Sequence, residues 1–106
     1  MFFKKKKEEN LEAPKKAAER IIFKKLNDDD LENRDLVLKL KDGNPLILNF
    51  GDLDNLVQNK LLAFFIGATV ALDGKTTKIK EESYLFARRE ELLDGSLQSF
   101  LANLHH

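Results

Sequence analysis

The chain is predicted to fold as an α/β domain, an α+β sandwich in which helices pack on a small sheet in the order β-α-β-α-β-β plus a short C-terminal helix. Three observations predict it. Leu46 to Phe50 is a short, nearly continuous apolar run of the kind that forms a central strand covered by helices. Leu61 to Leu72, LLAFFIGATVAL, continues a helical pattern that begins near Leu53. Thr76 to Ile79 and Ser83 to Phe86 flank Lys80-Glu81-Glu82, a charged turn of hairpin length.

In chain order, Met1 to about Lys16 is too poor in apolar residues to offset the entropy of ordering and reads as a tail. Arg20-Ile21-Ile22-Phe23 reads as the first strand, closed by Asn27-Asp28-Asp29-Asp30, a cluster of helix N-cap residues. The next segment supports two readings. Leu36, Leu38 and Leu40 alternate with Val37, Lys39 and Lys41 as in a strand leading to an Asp42-Gly43 hairpin. Alternatively Asn27 or Asp28 caps a helix whose inner face is Leu36, Val37 and Leu40, with Gly43 as its left-handed C-terminal residue.

Asp52 or Asp54 caps the long helix, and Asp73-Gly74 ends it. At about 100° per residue, Leu53, Val57, Leu61, Phe64, Ala68 and Leu72 make one stripe, while Leu62, Ile66 and Val70 add a second apolar face. A helix apolar on all sides is buried on all sides. A chain of 106 residues has mass for about one layer of helices on one sheet, so the second face is expected to meet another copy of the protein or the C-terminal segment. There Leu93, Leu97, Leu101 and Leu104 recur at helical spacing and should pack by their Leu face. The domain boundaries are residues 1–18 for the tail, 19–87 for the core and 88–106 for a C-terminal helix and tail.

Composition removes several functions. Lys+Arg and Asp+Glu both number 18, which argues against a general nucleic-acid binder. There is no Cys, so thiolate catalysis, disulfides and Cys-based zinc sites are excluded. The two His residues are His105 and His106, read as a frayed tail or a tag remnant. Gly74-Lys75-Thr76-Thr77 resembles the end of a phosphate loop, but Thr69 stands where the loop's first Gly belongs and a helix precedes it. Asp28, Asp29, Asp30 and Glu32 lack calcium-loop spacing. No Ser/His or Cys/His pair can be built. No enzyme, metal or cofactor is expected. With no apolar h-region after Lys4, the chain is expected to be cytoplasmic.

LKDGNPLILNF (Leu40 to Phe50), FFIGATVALDGKTTKI (Phe64 to Ile79) and SYLF (Ser83 to Phe86), in that order, closely resemble the SepF cell-division family. The resemblance covers roughly Glu19 to Ala87, and its specificity lies in the combination, above all the F-x-x-G-A-x-x-A-L-D-G run from Phe64 to Gly74. It implies that the residues before Asp42-Gly43 are helical. It further implies a non-enzymatic adaptor that forms a homodimer or higher assembly, binds the C-terminal tail of the tubulin-like division GTPase FtsZ, and tethers it to the inner face of the membrane at the division site. The alternative is a self-assembling cytoplasmic scaffold with the same fold and another peptide partner.

The resemblance assigns self-association to Leu62, Phe65, Ile66, Gly67, Thr69 and Val70, since a helical Gly costs ~1 kcal/mol relative to Ala and close approach of another element is a compensating reason. It assigns FtsZ-tail binding to the basic Lys78 and the aromatic Tyr84, with Ile79 and Phe86 as further wall; Tyr stands where the family commonly has Phe. Read without the resemblance, these are alternating strand residues. Met1, Phe2, Phe3, Lys4, Lys5, Lys6 and Lys7 would hold an anionic membrane surface, each Lys adding ~1 kcal/mol and assembly adding avidity; the same residues also suit a solvated Lys tail. Family anchors are longer amphipathic helices, and Ala87-Arg88 departs from the family's small polar residue and Pro.

Overall fold

A computed structural model describes residues 15–104; Met1 to Lys7, expected to hold a membrane, and the His pair lie outside them. A 3-10 turn over Ala17–Arg20 leads into β1 (Ile22–Lys25), α1 (Asp30–Lys41), β2 (Leu46–Asn49), α2 (Asn55–Ala71), β3 (Lys75–Lys80), β4 (Ser83–Ala87), α3 (Arg89–Leu92) and α4 (Ser96–Leu104). The four strands form one sheet in the order β1-β2-β4-β3. α1 is the crossover between the parallel pair β1 and β2, while β4 runs antiparallel to both of its neighbours. The α+β class and the element order are those expected.

The Leu36 to Leu40 segment is helical because Leu36 and Leu40, one turn apart, are both buried against the sheet while Leu38 is exposed. Asp29, rather than Asn27 or Asp28, is the N-cap, its carboxylate accepting from the Leu31 and Glu32 amides at 3.0 and 3.2 Å. Gly43 takes φ +104° as expected. The Gly43 amide donates to the Leu40 carbonyl and the Asn44 amide to the Lys39 carbonyl, the paired bonds of a Schellman cap. α2 is capped by Asp54, which accepts from the Val57 amide at 3.0 Å, and ends in the same motif: the Asp73 amide, at φ 58°, donates to the Val70 carbonyl, and the Gly74 amide to the Thr69 carbonyl.

The inner layer is one core of Leu26, Leu36, Leu40, Leu46, Leu48, Phe50, Leu61, Phe65 and Phe86, closed by α1 and α2. Within α2 the buried line is Leu61, Phe65 and Thr69, with Phe64 turned outward. Of the expected stripe, Leu53, Val57, Leu61 and Leu72 do meet the core, while Phe64 and Ala68 yield the buried positions to Phe65 and Thr69. Thr69 tolerates burial because its hydroxyl donates to the Phe65 carbonyl one turn back, at 2.7 Å. β1 starts at Ile22 rather than Arg20, whose side chain is used elsewhere: Nε donates to the Gly43 carbonyl at 3.0 Å and NH2 pairs with Glu91 at 3.2 Å.

On the opposite face a smaller cluster of Ala17, Ala87 and Leu97 joins the N-terminal turn to α4. Leu93 precedes α4 and is exposed, so the Leu line narrows to Leu97, with Leu101 at its margin. Ala17 and Ala18, counted with the tail by sequence, are tied down. The Ala17 amide donates to Asp94 at 3.0 Å and the Ala18 amide to the Ser96 hydroxyl at 2.9 Å. The Ala17 amide, then the Ser96 hydroxyl and amide, hold the Asp94 carboxyl down to about 2. A carboxyl lowered by folding stabilises the docked arm above about pH 4 and loses that contribution as pH falls through about 2. Amide exchange at Ala17 should be protected at pH 4 and released toward pH 2, and Asp94→Asn should erase that pH dependence.

Candidate functional site

The hairpin carries the residues expected to bind a peptide. Lys78 and Tyr84 are direct partners in the β3–β4 register, so their side chains lie on one face of the sheet about 5 Å apart at Cβ. Their row continues through Leu48 to Lys24, which pairs with Glu32 at 3.3 Å. Tyr84 is half-buried, its ring edge-on to Phe50 with centroids 5.6 Å apart. Lys78 is exposed. β3 is the terminal strand of the sheet and leaves one side of its backbone open to pairing. A cation beside an anchored aromatic ring on an open strand edge is equipped to hold an extended peptide by main-chain bonds, an apolar contact and a charge.

The other two expected residues are placed differently. Phe86 shares the face with Lys78 and Tyr84 but is fully buried in the core, where it supports the Tyr84 ring, centroids 6.3 Å apart, without surface of its own. Ile79 lies on the opposite face. The β3–β4 register shifts between Lys78 and Lys80, and at this bulge Ile79 joins the far-side residues Phe23, Ile47 and Phe100. Alternation along β3 already turns Ile79 away from Lys78, and what the bulge adds is Lys80, which pairs with Ser83 on that same far side.

The expected self-association set also divides. Phe65 and Thr69, 0% and 1% exposed, face the protein's own sheet and are corrected to core residues; Leu62 is half-buried at the margin. Ile66, Gly67 and Val70 are exposed, and with Leu56 and Ala63 they form an apolar stripe along the outer side of α2. A Cβ added at Gly67 would meet nothing within 4 Å. No element of the described chain accounts for that glycine.

A second concavity was not foreseen from sequence. On the outer sheet face, beneath the end of α4, a groove of about 400 Å³ runs from Phe23 and Lys25 to Ile79 and Lys80, roofed by Phe100 and Leu104. The signal for it lies in registers linking three strand pairs, which no local pattern carries. Among the described residues no group of His, Cys, Asp and Glu could hold a metal, and no helix is long and apolar enough to cross a membrane.

Comparison with known proteins adds a consistent result. A family model described as Cell division protein SepF matches residues 21–89. Curated proteins named Cell division protein SepF from Carboxydothermus hydrogenoformans and Limosilactobacillus reuteri are 34% and 31% identical over 61 and 70 residues, or 58% and 66% of this chain. Those matches take in 44% and 51% of the relatives, so the chain spans about half the length of the curated proteins it matches.

Proposed function

The chain belongs to the SepF family of cell division proteins, and from that premise we propose that it is a non-enzymatic division adaptor that assembles through α2, binds the FtsZ C-terminal tail at the β3–β4 hairpin, and tethers it to the membrane through Met1 to Lys7. The observation that carries this reading is the pairing of exposed Lys78 with ring-supported Tyr84 at an open sheet edge. The tail-binding set is accordingly Lys78 and Tyr84, without Ile79 and with Phe86 as their support. Titration of an FtsZ-tail peptide tests it. Lys78→Glu with Tyr84→Ala should abolish binding while far-UV circular dichroism is unchanged; equal affinity in the double variant removes this site.

Assembly is the second part of the adaptor and rests on Ile66, Gly67 and Val70. The open space at Gly67 means that Gly67→Lys adds a cation to the outer stripe without disturbing the monomer, and even recovers helix propensity. Light scattering should report a smaller assembly with undiminished thermal stability. An unchanged size moves the interface off α2.

A further inference from the structure

The outer face of the sheet contains a row that ordinary strand alternation does not explain. Lys25 pairs with Asn49, Asn49 with Ser83 and Ser83 with Lys80, so one line across all four strands has a lysine at each end. Its centre is already satisfied, because the Asn49 side-chain amide donates to the Ser83 hydroxyl at 3.0 Å. Beside this row lies an apolar one containing Phe23 and Ile47, and above both stand Phe100 and Leu104 of α4. Phe23 remains 62% exposed despite its contact with Phe100, ring centroids 6.1 Å apart.

From this arrangement we infer that the groove is a second docking site, for an extended acidic peptide of another protein. Charge selects the partner. The chain balances 18 acidic against 18 basic residues, yet the two charged side chains on the groove's face of the sheet, Lys25 and Lys80, are both cationic and no carboxylate lines it. Lys25 meets Asp52 at 3.5 Å, but the pair is exposed and exchanges readily for a peptide's carboxylate. Lys80 has no acidic partner among the described residues. A second copy seated here by two-fold symmetry would set these lysines against their own equivalents. A flat bilayer does not enter a concavity roofed by a helix.

Geometry gives the motif. Lys25 and Lys80 are three interstrand steps apart, about 14 Å, a distance that an extended peptide covers in about four residues. Residues four apart in an extended chain point to the same side, and those of opposite parity point away. Two carboxylates at i and i+4 therefore address the lysine row, while apolar side chains at i+1 and i+3 face Phe100 and Leu104. This site uses none of the residues that hold the FtsZ tail in the proposed function, and lies on the other face of the sheet.

The test is fluorescence anisotropy with labelled Gly-Glu-Phe-Ser-Leu-Glu-Gly on the full chain. The peptide should bind saturably, weaken as salt is added, and lose about tenfold or more in affinity for Lys25→Glu with Lys80→Glu. Replacing both peptide Glu residues by Gln should produce a similar loss. Lys25→Gln with Lys80→Gln repeats the measurement without charge reversal, and circular dichroism checks that both variants fold. The Lys78→Glu, Tyr84→Ala protein should bind the peptide as the wild type does, which separates this site from the hairpin. No binding up to roughly 1 mM, equal binding of the Gln peptide, or unchanged affinity in both lysine variants overturns the proposal. So does a change of oligomeric state in those variants with peptide affinity intact, which would assign the face to self-contact.

Discussion

Phe65→Ala should lower the free energy of unfolding by about 3–5 kcal/mol, measured by urea denaturation. Phe65 is fully buried, with ring centroids 6.4 Å from Phe50 and 5.7 Å from Phe86. Truncation removes its apolar transfer energy, these two core aromatic contacts, a third to the neighbouring Phe64 ring at 5.1 Å, and the packing around the space left behind. For a domain with about 5–15 kcal/mol of total stability, the loss brings the protein to the margin of folding. Phe64 supplies the control, since its neighbouring side chain is 40% exposed. Phe64→Ala should cost about 1–2 kcal/mol, because only part of a ring is withdrawn from water and only its edge contact with Phe65, centroids 5.1 Å apart, is lost. A larger cost at Phe64 than at Phe65 would restore the stripe expected from sequence.

That contrast locates what the sequence leaves unreadable. In LLAFFIGATVAL nearly every position is apolar, so hydrophobicity cannot choose between Phe64 and Phe65, although one residue turns the core face by about 100°. Which side meets the sheet depends on the crossing of α2 over β4, a long-range property. Local chemistry was readable where it is strong: Gly43 and Asp73-Gly74 end their helices as expected, and Leu46 to Asn49 is a central strand. The cap of α1 was missed by one residue because Asn27, Asp28, Asp29 and Asp30 are all good N-caps, and only the Leu31 and Glu32 amides select among them. At the candidate sites the Lys78–Tyr84 adjacency follows from a short hairpin and was legible. The far-side position of Ile79 was also legible, since it follows Lys78 on a strand, whereas the Lys25–Lys80 row requires three registers and a bulge at once and was not available to local reasoning.

Gly74→Ala should destabilise the protein by about 3 kcal/mol, toward the upper end for an overpacked site. Its φ lies outside the left-handed region, so the expected cost is steric. An added Cβ would overlap the Ala87 carbonyl oxygen and lie 2.9 Å from the Thr69 methyl. Neither neighbour yields easily: Ala87 is held in the register with Lys75 at the start of the hairpin, and Thr69 is fixed by its bond to the Phe65 carbonyl. The strain therefore falls on the junction of α2 with β3, and through β3 on the strand that carries Lys78. Gly67→Ala, seven residues earlier and inside α2, should act with the opposite sign. Its Cβ enters open space and Ala restores helix propensity, so stability should rise by up to about 1 kcal/mol. Thermal denaturation of the two variants side by side reads the difference directly. A neutral Gly74→Ala would mean that α2 is not pinned to β4 at this point, and that the hairpin can shift away from the helix without cost.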